Sequence, residues 1–152
     1  MKPTELAHLI QAQIVRPGDI ALDATAGNGH DTLFLAGLVG EGGRVFAFDV
    51  QEAARAQTMA RLGGAGLAER VTFCLQNHAD LAAALPADPP LRAAMFNLGY
   101  LPGSDKAVAT RPGDTLAAIR AALALLDKQR LRHGRRLSGT RAAPRKPPPS
   151  AP

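Results

Sequence analysis

The chain has one cysteine, no Gly-Lys pair, no long apolar run, and no acidic residue in its last 25 positions. A lone Cys74 excludes an internal disulfide, and its apolar setting, VTFCLQ, suits a buried structural thiol rather than a nucleophile. Without Gly-Lys there is no P-loop, which sets nucleoside-triphosphate hydrolysis aside. No apolar run reaches the roughly 18 residues of a membrane span. The opening MKPTELAHLI has neither a clustered positive region nor a small-residue cleavage pattern. The expected location is therefore cytoplasmic, with no membrane partner.

What remains is 152 residues, 46% hydrophobic, enough for one domain and too few for two. The charge is uneven. All 13 acids fall in residues 1–127 beside 10 of the 18 Lys and Arg, a net of −3 there and +8 beyond. Residues 128–152 also hold five of the 12 prolines and show no apolar period, so they read as a basic, disordered tail.

Residues 1–127 alternate helical and extended patterns. TELAHLIQAQI sets Leu6, Leu9, Ile10 and Ile14 on one helical face, and Pro17-Gly18 stops it. DIALDA is a short apolar strand, GHDTLFLAGLVG a helix ended by Gly40, and GRVFAFDV a second strand. QEAARAQTMARLGGAG is an alanine-rich helix closed by glycines. RVTFCLQ is a strand, ADLAAALP a short helix, LRAAMFNLGY a strand with a polar end. DTLAAIRAALALL is a last helix with Leu116, Ile119, Leu123 and Leu126 in register. Four alternations predict an α/β domain, a parallel sheet with helices on both faces.

In such sheets ligands sit beyond the carboxyl ends of the strands. Polar residues collect there: Asp23 with Gly27 and Gly29, then Asp49, then Asn77 with His78, then Asn97 with Tyr100. The two glycines of AGNGH let the backbone turn tightly against a ligand. A dinucleotide fingerprint needs Gly or Ala three residues after Gly29, where this chain has Thr32. Asp23, four residues before the first glycine, would also repel a pyrophosphate. S-adenosylmethionine fits better, because it carries an ammonium and a sulfonium and no phosphate. Asp23 would attract the amino group, and Asp49, 20 residues past Gly29, would accept from the ribose hydroxyls. Gln51, Asn77 and His78 are placed to edge the adenine.

The stretch FNLGYLPGSDK suits a methyl acceptor. A nitrogen attacking a methyl sulfonium must arrive neutral, so its N–H groups need acceptors. Asn97 and the Leu98 carbonyl offer them, and Tyr100 can stack on a planar base. Asn-x-x-Tyr matches the Asn/Asp-Pro-Pro-Tyr pattern of amino-methyltransferases, with Leu98 and Gly99 in place of both prolines.

LDATAGNGHDTLFLA, FAFDVQ, NHADL, FNLGYLPGSDK and TLAAIRAALALL together resemble the small class I methyltransferases known as rRNA methylases, over residues 1 to about 126. That family includes a bacterial enzyme acting on 5-aminomethyl-2-thiouridine at the tRNA wobble position. The resemblance implies a Rossmann-like methyltransferase fold, S-adenosylmethionine as donor, a homodimer, and an amine on a wobble uridine of tRNA as acceptor. A wobble base is single-stranded and enters a pocket at low cost. Asp23, Thr25, Gly27, Asn28, Gly29, Asp31, Asp49, Gln51, Asn77 and His78 fall on cofactor motifs. Asn97, Tyr100, Asp105 and Lys106 fall on the acceptor loop.

After Leu126 the family continues with a fifth strand ending in a Tyr-Pro-Gly-His-like motif, and none of this is seen, so the sheet is expected to be truncated after its fourth strand and the chain's own activity compromised. HGRRLSGTR, residues 133–141, can be back-translated as CAC GGT CGT CGC CTA TCC GGG ACA CGC, which one base later reads Thr-Val-Val-Ala-Tyr-Pro-Gly-His. An out-of-frame tail is thus one expectation for residues 128–152. A basic tail that binds RNA phosphates, without enzymatic activity, is another, and an NAD-dependent oxidoreductase is the alternative for the domain.

Overall fold

The computed structural model describes residues 2–86, 91–98 and 111–138, with side chains in the last stretch through 126. Helix α1 (Pro3–Ile14) starts with proline at its first position, where no N–H is needed, and Glu5 accepts the Lys2 N–H at 2.9 Å. It ends as predicted before Pro17-Gly18. Strand β1 (Ile20–Asp23) is buried at all four positions, and helix α2 (His30–Val39) follows the glycine turn. Then come β2 (Arg44–Asp49), α3 (Glu52–Gly64), β3 (Val71–Leu75), a single-turn α4 (Leu81–Ala84), β4 (Leu91–Met95) and α5 (Pro112–Ser138). The four strands are parallel in the order β3-β2-β1-β4. That is the expected α/β arrangement, and the order reverses between β1 and β4. A crevice forms where neighbouring strands send their chains to opposite sides.

Each strand feeds two cores, because successive side chains leave opposite faces. Ala21, Val45 and Ala47 join Val15 just past α1, Leu35, Ala36 and Val39 of α2, and Leu62 of α3 on one side. Ile20, Leu22, Phe46 and Phe48 join Leu81, Leu85, Ala118, Ala122 and Leu125 on the other. Each large apolar side chain so enclosed contributes about 1.5–3 kcal/mol. Ile20 pairs with Leu91 but Ala21 pairs with Ala93, so Arg92 is an extra residue in β4. The extra residue lets Leu91 face one core and Ala93 the other.

Two predicted faces are corrected. In α1 the stripe of Leu6, Leu9, Ile10 and Ile14 is exposed, Leu9 at 57%. The helix turns Ala7 and Gln11 inward instead, and Val15, the residue after it, is buried. In α5, Leu116 and Leu123 are exposed, and Thr115, Ala118, Ala122 and Leu125 carry the contact. Of the predicted α5 stripe, Leu126 still packs against the core and Ile119 is half-buried; in both helices alanines on the inward face allow close approach to the neighbouring element. Helix α5 also continues through Ser138, beyond the boundary at 127 expected for an irregular tail. Residues 128–132 are good helix formers by propensity. Cys74 is half-buried rather than enclosed, and burial pushes its thiol pKa up, away from nucleophilic use. No helix among the described residues is long and apolar enough to cross a membrane.

Candidate functional site

The carboxyl ends of β1, β2 and β4 are tied together by backbone bonds. The Ala24 N–H donates to Met95 O and the Ala26 N–H to Phe48 O, both at 2.9 Å. The glycine turn follows directly after Ala26. Gly27 and Gly29 have φ of +51° and +78°, the left-handed region that favours glycine. Gly29 has a second reason to lack a side chain, since a Cβ there would lie 2.7 Å from Thr58 Cα of α3. Its close approach is thus to a helix of this chain. Helix α3 also holds the turn's carbonyls: Thr58 donates to Gly27 O at 3.3 Å and Arg61 Nε to Asn28 O at 2.9 Å. Asp49 holds the amide side, accepting from Gly27 N–H and Gln51 N–H at 3.0 Å each.

Asp23 is enclosed, with no exposed surface. One oxygen accepts from the Thr25 N–H at 3.1 Å and the other from the Thr32 hydroxyl at 2.6 Å. Its carboxylate thus lies beneath the turn rather than on the surface of the site. Burial raises its pKa from 3.8 to about 6, opposed by those two hydrogen bonds and reinforced by the charges of Asp31 and Asp49. Thr32 stands where a dinucleotide fingerprint needs Gly or Ala, and here its hydroxyl is spent on Asp23.

Asp31 is buried in the first turn of α2. It accepts from His8 Nε2 of α1 at 2.7 Å and from Asn97 Nδ2 at 3.3 Å. His8 stacks on Phe34 with ring centroids 3.9 Å apart. Asn97, two residues past β4 and exposed, also donates its backbone N–H to Thr25 Oγ1 at 2.7 Å. Thr25, Asp31 and Asn97 therefore meet, together with a histidine that the sequence reading passed over.

Asn77 and His78, just past the end of β3, are both hydrogen-bonded within the chain. Asn77 caps its own turn, accepting from the Ala79 N–H, and donates to Asp114 of α5 at 2.8 Å. His78 is buried, with Nδ1 3.0 Å from Ala24 O and its ring edge-on to Phe96. Its Nε2 has no partner among the described residues. The half-buried Gln51 caps α3 and is reached by Asp49 through its backbone. Tyr100, Asp105 and Lys106 lie outside the described residues.

The site thus has a rigid glycine turn and three carboxylates, those of Asp23, Asp31 and Asp49, close enough for the last two to act on the first. Such a field repels phosphate and attracts a cation.

Comparison with known proteins agrees with this reading. The family described as "Putative rRNA methylase" matches residues 45–132. A chloroplastic tRNA (mnm(5)s(2)U34)-methyltransferase of Arabidopsis thaliana is 39% identical over 133 residues, covering 82% of this chain and 48% of its own length. This chain therefore spans about half of that relative. Among solved structures, a "putative rRNA-methylase" from Clostridium thermocellum superposes with a TM-score of 0.79 at 44% identity, over 83% of this chain and 67% of the other. A "putative methyltransferase" from Streptococcus mutans, solved in complex with SAH, gives 0.74 at 34% identity, over 92% and 83%. The sheet with its glycine turn has the Rossmann-like class I methyltransferase fold, and by family match and shared sequence the chain belongs to the rRNA methylase family.

Proposed function

We propose that the domain is an S-adenosylmethionine-dependent RNA methyltransferase whose acceptor is the aminomethyl nitrogen of a tRNA wobble uridine. The observation that carries the donor assignment is the group of three carboxylates around a glycine turn. It suits a cationic ligand and disfavours the pyrophosphate of NAD. When bound, S-adenosylmethionine supplies an electrophilic methyl group on sulfur. Half-exposed Gly27 offers a side-chain-free point on the turn to the donor's amino-acid part. Asp49 is half-exposed and keeps lone pairs for ribose hydroxyls, because each of its oxygens is used by one backbone N–H. The enclosed Asp23 contributes charge beneath the turn, and the Asn77–His78 corner borders the donor from β3.

Asn97 stands at the switch between β1 and β4, where the acceptor must approach. Its carbonyl oxygen can accept an N–H from a neutral amine and leave the nitrogen lone pair for the methyl group. The sequence assigns Tyr100 to stacking on the uracil ring and Asp105 and Lys106 to the acceptor loop. The name of the Arabidopsis relative supports the wobble uridine as target. A homodimer and a cytoplasmic site of action complete the reading. Incubation with labelled S-adenosylmethionine and tRNA bearing the unmethylated wobble aminomethyl group is expected to label that nucleoside. Label on another nucleoside moves the target, and salt-sensitive tRNA binding without label favours a binding protein.

A further inference from the structure

We propose that Asp31, held by His8, is a positioning residue that fixes the orientation of the Asn97 side-chain amide. An amide presents two different faces, and only its oxygen can receive an N–H from an attacking amine. A carboxylate only accepts, so Asp31 selects the NH2 end of Asn97, which donates at 3.3 Å. The fork of the amide then turns Oδ1 away from Asp31, and the Thr25 hydroxyl fixes the backbone from which the side chain springs. Asp31 is itself held. His8 donates to its other oxygen at 2.7 Å, and the stack on Phe34 fixes the His8 ring. Asp31 is 6% exposed and has both oxygens engaged, which suits a support rather than a ligand contact. His8 and Asp31 both precede the residues covered by the family match, which begins at 45.

The importance of Asn97 Oδ1 rests on the reading of Asn97 as the acceptor of the amine N–H. The positioning itself is testable without that reading. The side-chain amide pair of Asn97 is identified in a 15N–1H spectrum by its loss in Asn97→Asp. In the parent chain it should be shifted from the free-amide position and as immobile on the nanosecond timescale as the backbone. In Asp31→Ala it should move to the free position and become mobile. Asp31→Asn retains an acceptor oxygen and should restore most of the parent signal. His8→Ala should give an intermediate result. An unchanged Asn97 signal in Asp31→Ala overturns the proposal.

Methyl transfer supplies the second readout. Asp31→Ala should lower kcat by about tenfold to a hundredfold, with partial rescue in Asp31→Asn, and should lower S-adenosylhomocysteine affinity by a clearly smaller factor than kcat, because Asp31 adds only its charge to the donor site. Equal losses in kcat and S-adenosylhomocysteine affinity would overturn the proposal in favour of a donor-pocket role for Asp31. If the parent neither binds S-adenosylhomocysteine nor transfers methyl, the proposed function fails, and the Asn97 signal alone upholds or overturns the positioning.

Discussion

Asp23 should make this fold less stable as the pH rises from about 4 to 6. Its carboxyl has no exposed surface, and desolvation outweighs the hydrogen bonds from Thr32 and Thr25 to raise its pKa from 3.8 to about 6. The folded chain therefore retains a proton that the unfolded chain has released, and stability is lost through that interval. Below 3.8 both states are protonated, and above 6 both are ionised, so the effect is flat outside it. At about 1.4 kcal/mol per pH unit, the interval corresponds to a loss of about 3 kcal/mol. Asp23→Asn has nearly the same shape and cannot ionise. Its amide oxygen can accept from Thr25, and its NH2 can donate to the Thr32 hydroxyl oxygen. Urea denaturation of both chains in steps from pH 4 to 7.5 cancels the other titrations. The variant's advantage should grow from near zero at pH 4 to about 3 kcal/mol at pH 7. A difference that stays constant with pH, or a parent more stable than the variant at pH 7, refutes the reasoning.

Gly29→Ala should cost about 2–4 kcal/mol, since it combines a positive φ with a Cβ 2.7 Å from the Thr58 backbone; a melting temperature within 2–3 °C of the parent, roughly the shift expected for 1 kcal/mol, would contradict it. The exposed stripe of α1 and the buried residue just past its end should differ: Leu9→Ser within about 0.5 kcal/mol of the parent, Val15→Ala lower by about 2 kcal/mol. Equal losses by urea denaturation would place the apolar stripe in the core after all. Asp49→Ala leaves the Gly27 and Gln51 N–H groups without their acceptor. It should weaken S-adenosylhomocysteine binding at least about tenfold, as loss of a charged hydrogen-bond acceptor does, and calorimetric titration reads this directly.

Element order and sheet direction were legible because glycine and proline punctuate the chain and the apolar period changes between them. Gly18, Gly29 and Gly40 mark element ends and all have positive φ. Which face of a helix is buried was not legible in α1 or α5. Periodicity identifies a stripe, such as Leu6, Leu9, Ile10 and Ile14, but not what lies opposite it, and here Ala7 and Val15 fit closer to the neighbouring helix and sheet. Asp23, Asp49 and Asn97 were found because each stands at or just past a strand end. One oxygen of the enclosed Asp23 is held by Thr32, whose position suggested only a poor dinucleotide match. His8 was missed because its partner lies 23 residues away on another helix. A polar residue between two apolar ones on a helix gives no sign of such a contact. Arg61 and Thr58 were missed for the same reason, their bonds to the glycine turn spanning two elements.

The most direct measurement is calorimetric titration of the full chain with S-adenosylhomocysteine and, separately, with NADH. The account predicts saturable one-site binding of S-adenosylhomocysteine, lost or greatly weakened in Asp49→Ala, and no binding of NADH. Binding of NADH, or of neither ligand, would contradict a carboxylate-lined glycine turn built for a cationic methyl donor.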